Sequence, residues 1–505
     1  MQGDQQRTSA PAAEAPSHRY QVNQPVYVRY SPYTWVPGTV VQESAFSVLF
    51  QCYVVVVDYY EPRGSVARRC FVEADQARLG TTPQAPLSAG SDTTSSSSSQ
   101  QPSQTATSSS SAVPSPTPFN YGKDTIRGVN LGGWFVLEPW ITPSIFESTN
   151  NSDIIDEYTF GQLLDSDYAL DVLQNHWDTW ITEDDFVAIK AAGLNHVRMQ
   201  IGYWSVPITS EYTNYTTSVS PYVAGAWPYL LRALGWAREH SIHVILDLHG
   251  APGSQNGYDN SGRRGSANWA QGSNVNRTLD IIRFIADQIG GMIDVLELLN
   301  EPAGYQNDIH GVIGNYWQDA YQVVRDVAGA SLKVMIGDAF LGVGNWDGFL
   351  TAPSAQGVLM DYHEYQVFNY NQLGFSEDDH INAYAESNLY TVSGEWSNAI
   401  TDCAQWLNGR GIGARWDGTY QSGSGQQVFG SCDGYTGDSS TWSDEYKTFL
   451  RKYWESQVAI GEAVQGWIFW TWKAENADEW SYQKGLDGGW IPQDPTDRMY
   501  PDICS

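Results

Sequence analysis

At 505 residues the chain is too long for a single hydrophobic core, so two or more domains are expected. Its 57 acidic against 27 basic residues, a net charge of −30, argue against nucleic acid or anionic membrane as partners of the whole chain and favour a neutral or cationic ligand. No apolar run reaches the roughly 18 residues of a membrane span, while 21 Trp and 30 Tyr exceed what packing usually needs and suit the stacking of sugar rings.

Residues 1–17 are polar and rich in Ala and Pro, and are expected to be disordered. They contain no apolar segment of the kind a signal peptide needs, although Asn150, Asn214 and Asn276 head glycosylation sequons that would suit export. Residues 18–80 carry short β runs at Pro25–Tyr30, Gly38–Val41, Cys52–Tyr60 and Arg69–Val72, separated by Pro and Gly turns, which predicts a small all-β barrel. The order of these runs loosely resembles SH3-like and Tudor-like barrels. Tyr30, Tyr33, Trp35, Tyr59 and Tyr60 are candidates for an aromatic cage holding a methylated lysine or a proline-rich peptide, or alternatively for barrel core. Six arginines against five acids leave this segment nearly neutral, so the acidity lies elsewhere. Residues 81–118 form a Ser/Thr/Pro-rich linker in which Asp92 is the single charge.

From Phe119 to Ser505 short apolar runs alternate with helical patterns. Strands are expected at 126–132, 196–202, 243–250, 295–300, 333–337, 358–363, 390–395 and 464–472. Helical periodicity is clearest at 184–192, 228–240, 279–289, 316–327 and 442–457. Eight such alternations predict an α/β fold, a (β/α)8 TIM barrel with long loops, and no glycine-rich phosphate loop follows any strand. Five cysteines divide as Cys52 and Cys70 in the N-terminal segment and Cys403, Cys432 and Cys504 in the C-terminal one. The latter three allow one bridge with one thiol left over, and order alone does not choose the pair.

In such a barrel the polar residues at strand C-termini converge on one mouth. The run Val295-Leu-Glu-Leu-Leu-Asn-Glu-Pro302 is an apolar strand that stops at Asn300 and Glu301, and Tyr390-Thr-Val-Ser-Gly-Glu-Trp396 ends in a second carboxylate, Glu395. An isolated Asn-Glu-Pro is equally a turn. Two strand-end glutamates are the equipment of a glycosidase. Arg198 lies within the second strand, and Glu138, His249, His363, Tyr365, Trp470 and Trp472 follow or end others. Taken singly, these are a salt bridge, structural histidines or core tryptophans; their joint placement is harder to explain that way. No cluster of metal ligands stands out, and no cofactor is expected.

The segments Arg127-Gly-Val-Asn-Leu-Gly-Gly-Trp-Phe-Val-Leu-Glu-Pro139, Asp247-Leu-His-Gly-Ala-Pro-Gly-Ser-Gln-Asn-Gly257, Leu299-Asn-Glu-Pro302, His363-Glu-Tyr-Gln-Val-Phe368, Gly394-Glu-Trp396 and Phe469-Trp-Thr-Trp-Lys-Ala-Glu-Asn476 closely resemble, in order, the fungal exo-β-1,3-glucanases of glycoside hydrolase family 5. The resemblance covers residues 119–505. It implies a retaining hydrolase releasing glucose from the non-reducing ends of β-1,3-glucan, monomeric, without metal, acting outside the cell or at the cell wall. It further implies Glu301 as acid/base, its pKa raised by the neighbouring charge, and Glu395 as nucleophile, kept ionised by Arg198. Asn300 would bond the sugar 2-hydroxyl, Glu138 and His249 the other hydroxyls of the terminal glucose, and Tyr365 would lie near the nucleophile. Asn260 and His363 complete the site. Trp470 or Trp472 would stack beneath the sugar, with Trp470 favoured, and Tyr258 and Phe368 would clamp the next glucose. Glucosyl transfer by the same fold, or peptide binding through the N-terminal barrel, are the competing readings.

Overall fold

The computed structural model describes residues 118–374, 390–422, 427–501 and 503, together with the backbone of five N-terminal strands. The chain divides into two compact units, Met1–Ser109 and Ser110–Ser505. In the first, β1 (Pro25–Ser31), β2 (Thr34–Ser47), β3 (Cys52–Tyr60), β4 (Val66–Val72) and β5 (Leu79–Gly80) pair antiparallel in the order β4-β3-β2-β1-β5. The expected runs fall within β1 to β4. The side chains of the expected aromatic cage and of Cys52 and Cys70 lie outside what is described, as do Cys504, residues 1–17 and the linker up to residue 117.

The second unit is a closed barrel of eight parallel strands: β6 (Ile126–Asn130), β7 (His196–Gly202), β8 (His243–Gly250), β9 (Val295–Glu297), β10 (Lys333–Gly337), β11 (Val358–Glu364), β12 (Tyr390–Trp396) and β13 (Gly466–Phe469). Each pairs with its sequence neighbour and β13 closes on β6. Around it run α1 (Pro143–Ser148), α2 (Glu157–Leu163), α3 (Ser166–Thr179), α4 (Glu183–Ala191), α5 (Trp227–Glu239), α6 (Asn274–Ile289), α7 (Asn307–Ala328), α8 (Asp444–Ala463) and α9 (Tyr482–Gly488). Of these α4 to α8 fall on the predicted helical segments. Some of the helices start where a side chain satisfies a free N–H group: Asp156 accepts from Thr159 N ahead of α2, and Ser443 from Tyr446 N ahead of α8. Among the described residues no helix is long and apolar enough to cross a membrane.

Side-chain alternation along the strands builds the interior in layers. One layer is apolar: Ile126, Ile245, Val295, Met335, Leu359, Val392 and Ile468, one from each of seven strands, with Phe119 and Tyr121 packed beneath. On β7 the corresponding place is taken by His196, whose Nε2 meets the Tyr121 hydroxyl at 3.0 Å. Two residues further along, the inward positions turn polar, with Arg198, Asp247, Glu297 and Asp361 all buried. That switch from an oily floor to a charged layer sets the depth of the site.

Candidate active site

The fourth strand stops early. Regular pairing of β9 ends at Glu297, yet Leu298 N still donates to Met335 O and Asn300 N to Leu248 O, so the backbone follows the barrel up to the turn. Glu301 then sits at φ 43, in the left-handed region that costs an L-residue roughly 1–2 kcal/mol, and Pro302 prevents further pairing. The result is an abrupt exit that turns Glu301 across the barrel mouth. Facing it, Glu395 lies near the end of β12. There β11 and β12 slip register between Tyr362 and His363, and Gly394 leaves room that no other residue could: an added Cβ would stand 1.9 Å from Asp361 Oδ1.

Arg198 is the hub beneath both. Its guanidinium donates from Nε to Glu297 Oε2 at 2.6 Å, from NH1 to Glu395 Oε1 at 2.6 Å and Asn130 Oδ1 at 3.1 Å, and from NH2 to Glu297 Oε1 at 3.1 Å and Asn300 Oδ1 at 2.9 Å. Asp247 lies 3.1 Å from NH2. Every donor of the planar fork therefore finds an acceptor, which is what makes a fully buried guanidinium tolerable. Burial alone would weaken its charge, but Asp247, Glu297 and Glu395 hold Arg198 well above its ordinary value. Burial and the charges of Asp247 and Asp361 in turn push Glu297 well up, against the pull of Arg198.

Glu395 accepts from Arg198 on Oε1 and from the Tyr365 hydroxyl on Oε2 at 2.9 Å. Both of its oxygens are thus fixed in direction. Burial raises its carboxyl, and His363 and Arg198 only partly offset this. Glu301 behaves in the opposite way. Burial works to raise it, yet the hydrogen bond and charge of His363 bring it below the ordinary range, helped by the 2.9 Å bond from Asn260 Nδ2 to Oε2. The expectation that Glu395 would dominate and raise Glu301 is therefore corrected: an imidazole 2.8 Å from Glu301 Oε1 stands between the two carboxyls and outweighs their repulsion.

The other expected residues are placed as follows. His249 Nδ1 bonds Asp247 Oδ2 at 2.6 Å and its Nε2 is buried without a partner, as is Nδ2 of Asn300. Glu138 is buried, accepts from Trp140 Nε1 at 2.9 Å, and is raised by burial and by Asp259. Asn260 is oriented by Asn256 Nδ2 at 3.1 Å. Tyr258 (46% exposed) and Phe368 (41%) stand at the rim, with the Tyr258 hydroxyl 2.8 Å from that of Tyr305. The two tryptophans are separated. Trp470 lies parallel to the His249 ring, centroids 5.7 Å apart, whereas Trp472 is fully buried and donates from Nε1 to Asp185 on α4 at 2.8 Å. The expected strand over 464–472 in fact ends at Phe469, so simple alternation does not carry through to Trp472.

Asn130, Asp247, Glu297 and Asp361 were not singled out from sequence, although each is a polar residue at an inward place in an otherwise apolar strand. That mismatch was the available signal. Glu297, Asp361 and His363, and likewise Glu301, His363 and Glu395, bring side-chain nitrogen and oxygen atoms within 4.8 Å of one another. No spacing in the sequence reveals these sets, because their members come from β9, β11 and β12.

An eight-stranded parallel barrel with two carboxyls set at the C-terminal ends of its strands is the arrangement of a glycosidase. Residues 165–476 match the Cellulase family (glycosyl hydrolase family 5), and the chain belongs to that family. It is a glycoside hydrolase. Over 400 residues, covering 76% of this chain and 91% of the relative, it is 44% identical to a glucan 1,3-beta-glucosidase of Blumeria graminis. A glucan 1,3-beta-glucosidase of Schwanniomyces occidentalis is likewise 44% identical over 403 residues, 76% of this chain and 92% of that protein. Among solved structures, rutinosidase from Aspergillus niger superimposes with a TM-score of 0.57 at 18% identity, covering 74% of this chain and 100% of that one, a likeness that concerns the fold alone.

Cys403 pairs with Cys432. The bridge closes the long segment between β12 and α8, from which Trp406, Leu407, Trp416 and Phe429 pack against the cluster that contains Trp470, Trp140 and Trp480.

Proposed function

We propose that the protein is a retaining exo-β-1,3-glucanase, releasing glucose from the non-reducing ends of β-1,3-glucan by double displacement. The observation that carries this reading is the proximity of Glu301 and Glu395, one oxygen of each carboxyl lying within 4.8 Å of one of the other's. Retaining enzymes hold the pair about 5–5.5 Å apart, whereas inverting ones leave about 6.5–9.5 Å for an intervening water. Glu395, aimed by Arg198 and Tyr365, attacks the anomeric carbon while Glu301 protonates the departing oxygen. Glu301 then takes a proton from the water that releases the covalent glucosyl group. The relatives' names support β-1,3-glucan as the substrate. The buried, unpartnered Asn300 Nδ2 and His249 Nε2 support recognition of sugar hydroxyls beside the carboxyls.

The test is laminarin hydrolysis followed by NMR. Wild type is expected to release β-glucose first, with mutarotation to the α anomer later, and Glu301→Gln and Glu395→Gln to lose activity by orders of magnitude. Initial release of α-glucose would overturn retention. Transfer to a second sugar is the alternative fate of the intermediate, favoured by the exposed aromatics Tyr258, Tyr305 and Phe368 at the rim. Longer oligosaccharides accumulating at high substrate concentration would identify it.

A further inference from the structure

We propose that the free enzyme stores the catalytic proton on His363, between Glu301 and Asp361, and hands it to Glu301 when substrate covers the pair. This rests on Glu301 serving as acid/base. The geometry is a chain: His363 Nδ1 lies 2.8 Å from Glu301 Oε1 and Nε2 lies 2.9 Å from Asp361 Oδ2. Glu395 Oε2 stands 3.4 Å from the same Nδ1. A neutral imidazole has one N–H and one lone pair, so it cannot donate to carboxylates on both sides. Either the ring carries two protons or one of the flanking carboxyls is an acid.

The surroundings decide which. The groups facing the ring are Glu301 and Glu297 from β9 and the turn after it, Asp338 after β10, Asp361 on its own strand, and Glu395 from β12. Arg198 is engaged by Glu297 and Glu395, and His249 by Asp247. Burial opposes a charged ring, but Glu395, Asp361 and Glu301 outweigh it and hold His363 well above its ordinary value. Asp361, correspondingly, is brought down to about 2 by the His363 charge and hydrogen bond against the effect of burial. Glu301, Glu297, Asp338, Asp361 and His363 also line one cavity of about 270 Å³, with room for water beside the relay.

The proton balance closes over one turnover. In the first half, a proton passes from His363 Nδ1 to Glu301 and on to the glycosidic oxygen as the bond from that oxygen to C1 breaks and the Glu395–C1 bond forms. In the second, water attacks C1, the bond to Glu395 breaks, and the water's proton goes to Glu301 and back to His363. One water is consumed and no proton is gained or lost. Asp361 acts as a positioning residue: it holds the ring so that Nδ1 faces Glu301, and its charge keeps the store filled.

Two measurements test the proposal independently of product stereochemistry. In full-length enzyme labelled with 15N-histidine, both ring nitrogens of His363 are expected to carry protons at pH 7, where an ordinary histidine is mostly neutral. The resonance is assigned with His363→Gln. The basic limb of kcat/KM, which reports the free enzyme, is expected to move to lower pH by about 1–3 units in Asp361→Asn, the range for losing an adjacent opposite charge. A merely structural Asp361 would lower kcat/KM equally at every pH, and that result would overturn the proposal. So would a neutral His363 ring in the wild type, which remains decisive if Asp361→Asn does not fold. An α-glucose product would instead count against the retaining mechanism and leave the protonation of His363 readable.

Discussion

At the scale of single residues the site is governed by the contents of one buried layer. Arg198 serves four side chains at once, and a lysine in its place would bring the charge but not the planar fork. Arg198→Lys is therefore expected to leave Glu297 or Glu395 short of a partner. Breaking one half of a buried ion pair costs about 3–5 kcal/mol, so chemical denaturation should register a loss of that order. Because Glu395 also loses its aim, kcat should fall more than tenfold, with KM much less affected. Near-normal kcat would mean that Tyr365 alone directs the nucleophile. Much of the candidate site was legible in the sequence: the strand-end glutamates, His249 and His363 lie around the mouth, with Arg198 beneath them. The carboxyl network beneath was not, because Asp247, Glu297 and Asp361 belong to three strands and become neighbours only when the barrel closes. The sign of the Glu301 shift failed for the same reason, since it depends on a histidine 62 positions away.

At the scale of elements, periodicity located what is regular and missed what is short. The strands His196–Gly202, His243–Gly250 and Lys333–Gly337 lie where alternation and apolar runs place them. By contrast α1, α2 and α9 span only six or seven residues, too few for a 3.6-residue period to declare itself, and α3 is largely polar on its outer face. The segment between β12 and α8 has no periodicity at all, and its order comes from a covalent closure and from packing. Cys403–Cys432 spans 29 positions, and a loop of that size is stabilised by about 3–4 kcal/mol on a chain-entropy account. Cys403→Ser with Cys432→Ser is expected to lower the melting temperature. It should also raise KM more than it lowers kcat, since the segment supports Trp470 but touches neither Glu301 nor Glu395 among the described contacts. Loss of kcat with KM unchanged would show that the segment steers the chemistry and does more than support the sugar platform.

At the scale of the whole molecule, a chain carrying 57 acids buries several of them, and that choice sets its response to pH. Burial pushes Glu479 up to about 8, and Glu157 likewise, while Asp259 is raised to about 7. Carboxyls of this kind are protonated in the fold but ionised in the unfolded chain above their usual value near 4.5, so the stability they contribute is complete below that pH and is lost as pH rises towards 8. His176 works in reverse: burial lowers it to about 4 while its Nε2 holds Gly133 O at 2.7 Å, so its contribution is complete above about 6.5 and is lost as pH falls towards 4. Between about 4.5 and 6.5 three such carboxyls lose while one histidine gains, so the net is already a loss, and above 6.5 the histidine no longer offsets any of it. The melting temperature is therefore expected to fall from about pH 4.5 to pH 8, the more so because each new charge adds to an acidic surplus. Glu479→Gln isolates the cause, since it keeps the shape of the protonated acid and cannot ionise. A shift of this size is worth on the order of 5 kcal/mol over its whole span, about 2 kcal/mol of it above pH 6.5, so the variant should gain on wild type steadily from pH 6.5 to about 8 in calorimetry. Parallel curves for the two proteins would mean that Glu479 is already ionised in the fold and that the alkaline loss arises elsewhere.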